Sequence, residues 1–266
     1  MRIRYDRFPG GKRKAVALSF DDGRIHDRRL VALCNEYGLR GTFHLNSGFL
    51  GRDSYVEASE IAALYAGHEI SAHTVDHPFL DMSPPDQIAR EITADREALE
   101  ALAGYPVRGM SYPFGTWSER LVGMLPALGI EYARTTRSHG AYDLPSNPLL
   151  WHPTCHHKQM VEHAAAFVEQ QPRHSRMQLL YVWGHSYEFE NDGNWDLVNR
   201  FGETIGGRDD IWYATNADIV HYMRALNELR FSVSCRLIHN PSAIPVWVSA
   251  EGDAVEIAGG ATVNLS

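Results

Sequence analysis

Two adjacent aspartates end the first apolar segment of the chain and could act on a metal ion or on a proton. Asp21 and Asp22 follow residues 15–20, AVALSF, which are typical of a buried strand, and precede Gly23. In parallel α/β folds active sites form at the carboxyl ends of strands, so one carboxylate could bind a cation while the other stays free as a base. Asp-Gly is also ordinary turn chemistry, and the motif alone does not separate the two interpretations.

Two histidines four residues apart follow another short strand, predicted at residues 69–71. The imidazoles of His73 and His77 would face the same way if the segment formed one helical turn. Both could then bind one ion through ring nitrogens, and a loop with two incidental histidines is the alternative, since the chain has 14 histidines. If the strands share an edge, the pair meets Asp22 and leaves a coordination position open for water, as a catalytic site requires.

Two later segments also place polar or aromatic groups after strands. Residues 110–117, MSYPFGTW, combine Pro and Gly with aromatic residues, which favours a rigid loop that presents backbone N–H groups. Residues 179–188, LLYVWGHSYE, have the pattern of a buried strand that ends in Gly and His185. Each segment could instead be a structural connector, but the position of His185 after a fourth strand favours a functional role.

The elements that must position these residues alternate between short apolar runs and helix-like stretches. Strands are predicted at residues 15–20, 41–45, 69–71, 109–111, 132–134 and 179–183, and helices at residues 27–37, 59–66, 84–103, 117–128, 158–171 and 215–228. This alternation favours an α/β fold with a parallel sheet, and about seven units favour a barrel. After residue 229 short alternating segments at 230–238, 245–249, 254–257 and 261–265 replace it. We predict a barrel domain over residues 1–229 and a small antiparallel β extension over residues 230–266, packed on the barrel.

The composition of the chain limits which binding partners and which cellular compartment we expect. The chain of 266 residues has a formal net charge of −8 and scattered basic residues, which argues against nucleic acid as a partner. No apolar run approaches the roughly 18 residues of a membrane span, and the first apolar stretch is too short for a signal peptide. Three widely spaced cysteines disfavour a disulfide framework and favour a reducing compartment. We predict a cytoplasmic protein, and the sequence does not indicate its oligomeric state.

The four motifs, in this order, resemble those of the polysaccharide deacetylase family, the NodB-homology carbohydrate esterases. Residues 19–23, SFDDG, and residues 73–77, HTVDH, match the first two family motifs. Residues 111–115 and the segment around His185 match the last two motifs in part. The resemblance covers about residues 14–225 and implies a distorted (β/α)7 barrel.

The resemblance also implies a role for each matching residue. The implied ligands of a divalent metal ion are Asp22, His73 and His77. Asp21 would be the general base, His185 the general acid, and the N–H of Phe114 would help to bind the oxyanion. These roles suit amide hydrolysis. A metal ion makes water a nucleophile near pH 7, a carboxylate takes a proton from that water, and an imidazole donates a proton to the leaving group. The donor set suits Zn²⁺, with Co²⁺, Ni²⁺, Mn²⁺ or Fe²⁺ as alternatives.

The chain departs from the family pattern in two places. Ser111 stands where the family has an arginine that orients the base, so another group must hold Asp21. Arg134 and Arg137, which follow a later strand, are the candidates. The family's aspartate that orients the acid histidine also lacks a clear match, and Glu188 is the candidate replacement.

A last group of residues could contact the substrate: Tyr112, Asn46, Trp183, Tyr187 and His156. Trp183 and Tyr187 could form an apolar wall for a sugar or an acetyl methyl group, and Asn46 could line the mouth of the barrel. His156 belongs to residues 151–157, WHPTCHH, for which a structural loop and a second metal site are the alternatives to a substrate contact.

We therefore predict a metal-dependent hydrolase that removes acetyl groups from N-acetylated or O-acetylated carbohydrate. The first alternative is metal-dependent hydrolysis of a small non-sugar amide, such as a cyclic amide or ureide, which the missing motif arginine keeps open. The second alternative is a carbohydrate-binding protein without activity. The presence of both Asp21 and His185 argues against it, because binding alone needs neither a base nor an acid.

Overall fold

The computed structural model describes residues 1–170 and 176–265. Its strands are β1 (Ile3–Arg4), β2 (Lys14–Asp22), β3 (Gly41–Leu45), β4 (Glu69–Ala72), β5 (Gly109–Ser111), β6 (Tyr132–Arg134), β7 (Cys155–His156), β8 (Gln178–His185), β9 (Ile211–Tyr213), β10 (Arg230–Phe231), β11 (Leu237–His239), β12 (Val246–Ala250), β13 (Asp253–Ile257) and β14 (Thr262–Asn264). Its helices are α1 (Asp27–Glu36), α2 (Ile61–Leu64), α3 (Pro85–Ala103), α4 (Glu119–Met124), α5 (Met160–Glu169), α6 (Ser186–Asn191), α7 (Asp196–Ile205) and α8 (Asn216–Asn227).

A parallel sheet curls into the barrel. Its strands follow the order β6-β5-β4-β3-β2-β8-β7, and β9 pairs with the beginning of β2. The segment from Trp151 to His156 closes the ring, because Trp151 bridges to Arg134 of β6 while Cys155 and His156 pair with β8. The predicted distorted (β/α)7 barrel is confirmed.

Strand β2 lies inside the sheet, between β3 and β8, and is buried along most of its length. The first eight of its nine residues are buried, as expected for a parallel strand whose two faces are both covered. The helices that cover the sheet contribute apolar residues from their inner faces to one core, among them Leu30 of α1, Ile92 of α3 and Phe167 of α5. This rigid arrangement fixes where the strand ends lie.

Several predicted elements differ from the observed ones. The predicted helix at residues 59–66 is a 3-10 turn, Ala58–Glu60, followed by the single turn of α2. The predicted helix at 117–128 ends early as α4, since Pro126 has no N–H to continue the helical hydrogen bonds. Helices α6 and α7 and strand β9 were not predicted. The predicted helix at 158–171 corresponds to α5, and its last residue lies outside the described residues.

The carboxyl-terminal part forms two small antiparallel sheets, β10-β11-β14 and β1-β12-β13. The predicted strand at 230–238 is a hairpin of β10 and β11. Val246 and Ile257 share a buried cluster with Leu226 of α8, so this part packs on the base of the barrel. Because β1 contributes from the amino terminus, both ends of the chain meet here, and the division at residues 229 and 230 stays a prediction.

Among the described residues, none of the helices combines the length and the apolar character that crossing a membrane requires.

Candidate active site

The carboxyl ends of several barrel strands deliver the candidate residues to one edge. Asp21 of β2 lies in register with His185, the last residue of β8. His73 directly follows β4, Ser111 ends β5 and Arg134 ends β6. Parallel strands place their carboxyl ends on the same side, so residues far apart in sequence meet over the barrel.

Asp22, His73 and His77 offer one ligand atom each within 4.8 Å of one another. The Nε2 atoms of His73 and His77 lie 3.7 Å and 4.0 Å from Oδ1 of Asp22. Ligand atoms that bind one ion at about 2.0–2.2 Å are separated by such distances. Burial, with a smaller effect from His73, lowers the pKa of His77 to about 4, which keeps its ring neutral as a ligand must be. The residues therefore fit a divalent metal ion.

The neighbours of His73 fix which ring nitrogen faces the site. Its Nδ1 lies 2.7 Å from Oγ and 3.0 Å from the carbonyl oxygen of Ser111. The Ser111 hydroxyl donates to Oδ1 of Asp21 at 2.9 Å, so it accepts the Nδ1 proton of His73. The lone pair of His73 is then on Nε2, toward Asp22.

The two histidines converge through a tight turn and not through the helical turn expected from their spacing. Thr74 and His77 have positive φ angles of 70° and 54°. The N–H of His77 donates to Oγ1 of Thr74 at 3.1 Å, and the buried Asn46 amide donates to the carbonyl oxygens of His73 and Thr74 at 2.5 and 2.9 Å. Asp22 also has a positive φ, 83°, so strained backbone occurs at each of these ligand segments.

Asp21 is buried directly beneath these ligands. The Arg134 guanidinium donates to both of its carboxylate oxygens, and Ser111 donates a third hydrogen bond. Burial by itself would raise the pKa of Asp21, but the charge of Arg134, with smaller effects of nearby imidazoles, lowers it well below its usual range. Asp21 is therefore held as a carboxylate with a fixed orientation.

The structure separates the two arginine candidates. Arg134 is fully buried and contacts Asp21, whereas the side chain of Arg137 is exposed. The guanidinium of Arg134 also lies 5.0 Å from the ring centre of Trp183. The family pattern has an arginine at the position of Ser111 that orients the base. In this chain Arg134 of β6 contacts Asp21 instead.

His185 lies across the pocket from the β4 ligands and is oriented by Glu188. Its Nδ1 lies 2.6 Å from Oε1 of Glu188, in the first turn of α6. Burial lowers the pKa of His185, but the hydrogen bond to Glu188 and the charges of Asp21 and Asp22 outweigh it and raise that pKa. With Nδ1 held by Glu188, Nε2 is the nitrogen left for the pocket.

A pocket of about 430 Å³ joins these groups. Beyond Asp21, the implied metal ligands and His185, its lining consists of Tyr112, Phe114, Thr136, Trp183 and Tyr187. Phe114 has a positive φ of 57° and is half exposed, and it stacks on Phe79 with ring centres 3.8 Å apart. The hydroxyl of Tyr112 donates to the carbonyl oxygen of Leu149, so its ring is what this residue offers to the pocket.

Two residues predicted to contact substrate lie elsewhere. Asn46 is fully buried and supports the backbone after His73, because its amide has to satisfy the carbonyl groups of that strained turn. His156 is not among the lining residues described, and its Nε2 lies 3.5 Å from Glu188. Asn46 therefore supports the turn that carries His73 and His77 and does not contact the substrate.

Sequence reasoning missed Asp95, which lies on the buried face of α3. Its carboxylate accepts from the backbone N–H groups of Ser47 and His73, at 2.8 and 3.0 Å. A carboxylate on the apolar face of a helix, between Ile92 and Leu99, could have indicated such a role, since charged residues are rarely buried without partners.

Comparison with known proteins agrees with this geometry. Residues 9–133 match the family model described as Polysaccharide deacetylase. The chitooligosaccharide deacetylase of Azorhizobium caulinodans is 28% identical over 120 residues, 44% of this chain and 55% of that protein. The chain thus spans about half the length of the curated relatives it matches.

Two solved structures show the same fold. A Mycobacterium smegmatis protein assigned to the polysaccharide deacetylases gives a TM-score of 0.63 at 20% identity, over 83% of this chain and 93% of that chain. A family 4 acetyl xylan esterase from Clostridium thermocellum, in complex with a cobalt ion, gives 0.54 at 18% identity, over 78% and 90%. By this family model residues 9–133, which carry the two leading motifs, belong with the polysaccharide deacetylase family, and the barrel has the fold of its solved structures.

Proposed function

We propose that this chain is a metal-dependent deacetylase that removes acetyl groups from N-acetylated carbohydrate, with O-acetylated carbohydrate as a related substrate. The observation that carries the proposal is the placement of Asp21 and His185 around the donor set of Asp22, His73 and His77 in one pocket. The name of the Azorhizobium caulinodans relative supports an N-acetyl sugar as substrate. We propose Zn²⁺ as the ion, since the donors are two imidazoles and one carboxylate.

The donor set and Asp21 divide the work between ion and base. A divalent ion held by the three side chains would supply Lewis acidity, which makes water a nucleophile at neutral pH and polarises a carbonyl. Asp21 accepts the proton of the attacking water. Arg134 and Ser111 hold its carboxylate in place, so the proton acceptor needs no reorganisation during the reaction.

His185 and Phe114 complete the proposed reaction. His185 donates a proton from Nε2 to the departing amine, because Glu188 holds Nδ1 at 2.6 Å and fixes the direction of the ring. The N–H of Phe114 donates to the oxyanion. The positive φ of Phe114 and the hydrogen bond from Gly115 N–H to the Tyr112 carbonyl, 2.8 Å, fix this turn at the pocket.

The aromatic walls favour a ring-shaped substrate. Trp183 and Tyr187 flank His185, with ring centres 5.7 and 5.2 Å from it, and Phe114 lies on the side of His77. Such faces can pack against the apolar faces of a sugar ring or against an acetyl methyl group.

Acetate release from chitooligosaccharides by the zinc-loaded protein tests the proposal. We expect EDTA to abolish the activity and zinc to restore it. Asp21→Asn should lower the rate about 10²–10⁴-fold with zinc retained at this site, whereas Asp22→Asn should also lose the zinc of this site. Asp53→Asn, at an exposed position, is the matched control. Full activity of the metal-free protein, or zinc loss in Asp21→Asn, would contradict the assigned roles.

The same pocket supports one alternative, hydrolysis of a cyclic amide or ureide. A planar ring would fit between the aromatic walls of a pocket of about 430 Å³. Turnover of cyclic amides without acetate release from sugars would favour this alternative. Sugar binding without turnover of either class would indicate a binding protein.

A further inference from the structure

A second cluster of possible metal ligands lies behind the acid histidine and outside the pocket. It consists of His156, His157 and Glu188, whose ligand atoms all lie within 4.8 Å of one another. Nε2 of His156 is 3.5 Å from Oε1 of Glu188, and Nε2 of His157 is 3.9 Å from Oε2. These separations resemble those between Asp22, His73 and His77, and the donor types are the same.

His157 gives the strongest indication that something binds there. Its side chain is fully buried, and neither ring nitrogen has a hydrogen-bond partner among the described residues. Nδ1 is closed off by the backbone of Gly184, where an added Cβ would lie 2.1 Å from it. Nε2 faces Glu188 at a distance too long for a hydrogen bond. A buried polar atom left without a partner is unfavourable, and an ion is one of its ordinary explanations.

The charge states of the cluster suit a cation. Burial, followed by the neighbouring His156, lowers the pKa of His157 to about 3, so the ring is neutral. Burial would raise the pKa of Glu188, but hydrogen bonds from His156 and His185 outweigh it and lower that pKa, so the carboxylate is ionised. One carboxylate oxygen, Oε1, already accepts from His185, and Oε2 faces His157.

Two contacts would have to change on metal binding. The Lys158 ammonium lies 3.6 Å from Oε2 of Glu188, but it also binds Asp192 at 2.8 Å and is half exposed, so it can move away. The backbone N–H of Lys158 approaches Nδ1 of His156 at 3.4 Å, a long and weak hydrogen bond. Binding through Nε2 would move the ring proton to Nδ1 and give up that contact.

We propose that His156, His157 and Glu188 form a second binding site for a divalent ion of the zinc type, distinct from the site at Asp22, His73 and His77. Two imidazoles and one carboxylate make a typical zinc donor set, and solvent can take the fourth position next to the partly exposed His156. Because Glu188 also holds His185, an ion there would fix the orientation of this histidine from behind. The binding claim does not depend on the proposed function.

The test counts zinc ions on the purified full chain, with zinc chloride as the only probe. Isothermal titration and metal analysis should give two ions per chain in the wild-type protein. Asp22→Asn should keep one ion, His157→Gln should keep one, and the double variant should bind none. One ion per chain in the wild-type protein at saturation, or two in His157→Gln, would overturn the proposal.

Two further measurements protect the test against misfolding of the buried His157 variant. In Asp22→Asn, added Co²⁺ should give d–d absorption from the second site alone, and His156→Gln, at a partly exposed position, should weaken it. Lys158→Gln removes the competing ammonium at the surface, and we expect about two- to five-fold tighter zinc binding at this site in the same background. Unchanged affinity in Lys158→Gln together with no cobalt spectrum in Asp22→Asn would also overturn it.

Discussion

Asp21 and Asp27 are both buried and lie only six residues apart, but their pKa values are shifted in opposite directions. Asp21 ends β2 beneath the pocket and is paired with the Arg134 guanidinium. Asp27 begins α1 behind the strand and accepts hydrogen bonds from the hydroxyls of Tyr65 at 2.6 Å and Ser186 at 2.5 Å. Burial dominates at Asp27 and raises its pKa to about 7, despite the hydroxyls. At Asp21 the guanidinium reverses the effect of burial.

The difference shows how partners decide the use of a buried carboxyl group. Desolvation disfavours the charged form in both places, and hydroxyl groups offset it only in part. A full positive charge at contact distance stabilises the carboxylate, and the proton acceptor of a reaction must be in that form. A carboxyl group that only joins helix to core can remain partly protonated. The comparison separates a residue held for chemistry from one held for packing.

The largest expected effect comes from removing Arg134, the cation that pairs with Asp21. Arg134→Met would leave the carboxyl group of Asp21 buried without its cation, which should lower the free energy of unfolding at neutral pH by about 3–5 kcal/mol. Urea unfolding of the metal-free protein, followed by circular dichroism, measures this change. Adding Asp21→Asn to the variant should restore most of the loss, since no buried charge remains.

Arg137→Met is the control for this experiment. It removes the same type of side chain from the same segment at an exposed position, and its effect should stay within about 0.5 kcal/mol. If Arg134→Met matched this control, the paired charges would contribute no net stability and the contrast with Asp27 would fail.

The raised pKa of Asp27 should affect how the stability of the protein depends on pH. The pKa of Asp27 is raised in the folded state to about 7, so its contribution is complete in acid and is lost as the pH rises toward 7. Asp27→Asn removes this loss. The stability of the variant relative to wild type should therefore increase between pH 4.5 and 7, by up to about 1.4 kcal/mol per pH unit.

Urea unfolding of both proteins across this range, without metal, checks the slope. Asp53→Asn makes the same change at an exposed position and should show no comparable trend. A flat difference between Asp27→Asn and wild type would mean that the two hydroxyls suffice to keep Asp27 ionised, as Arg134 does for Asp21.

A smaller effect is expected where a buried carboxylate supports a ligand through the backbone. Asp95→Ala would leave the N–H of Ser47 without its acceptor and the N–H of His73 with only the Leu45 carbonyl oxygen, at 2.9 Å. The turn that carries His73 and His77 should loosen, and zinc affinity should fall about 10–100-fold, as is usual for groups that orient metal ligands. Glu97→Ala, exposed on the same helix, should leave the affinity unchanged. Equal affinities of the two variants would remove Asp95 from the support of the site.

Local patterns in the sequence were enough to predict the strands that carry the site. Strands β5 and β6 have the predicted bounds, and the first two motifs placed Asp22, His73 and His77 at strand ends that do meet. Spacing gave the wrong conformation for the turn after β4, because Asn46 and Asp95, distant in sequence, stabilise its positive φ angles. Such tertiary contacts leave no periodic signal.

The outer groups of the site were only partly predictable for the same reason. Arg134 was one of two candidates, and the structure distinguishes them because Arg134 ends β6 and contacts Asp21, whereas Arg137 lies three residues beyond the strand and is exposed. Strand β7 has two residues and could not be recognised from its pattern, yet it completes the barrel. Asn46 was misread as a lining residue, since a strand-end amide can face either the pocket or the backbone beside it.

The smallest effect should follow from Ser111→Ala, at the position where the family pattern has an arginine. The change removes a hydrogen bond to Asp21, which keeps Arg134, while the Ser111 carbonyl oxygen still accepts from Nδ1 of His73 at 3.0 Å. We expect a loss of about 1 kcal/mol in unfolding free energy and less than about ten-fold in zinc affinity. Unfolding and zinc titration of this variant, beside Arg134→Met, compare a hydroxyl with a guanidinium on one carboxylate. A loss as large as that of Arg134→Met would mean that Ser111, through its link between His73 and Asp21, carries the orientation that we assign to Arg134.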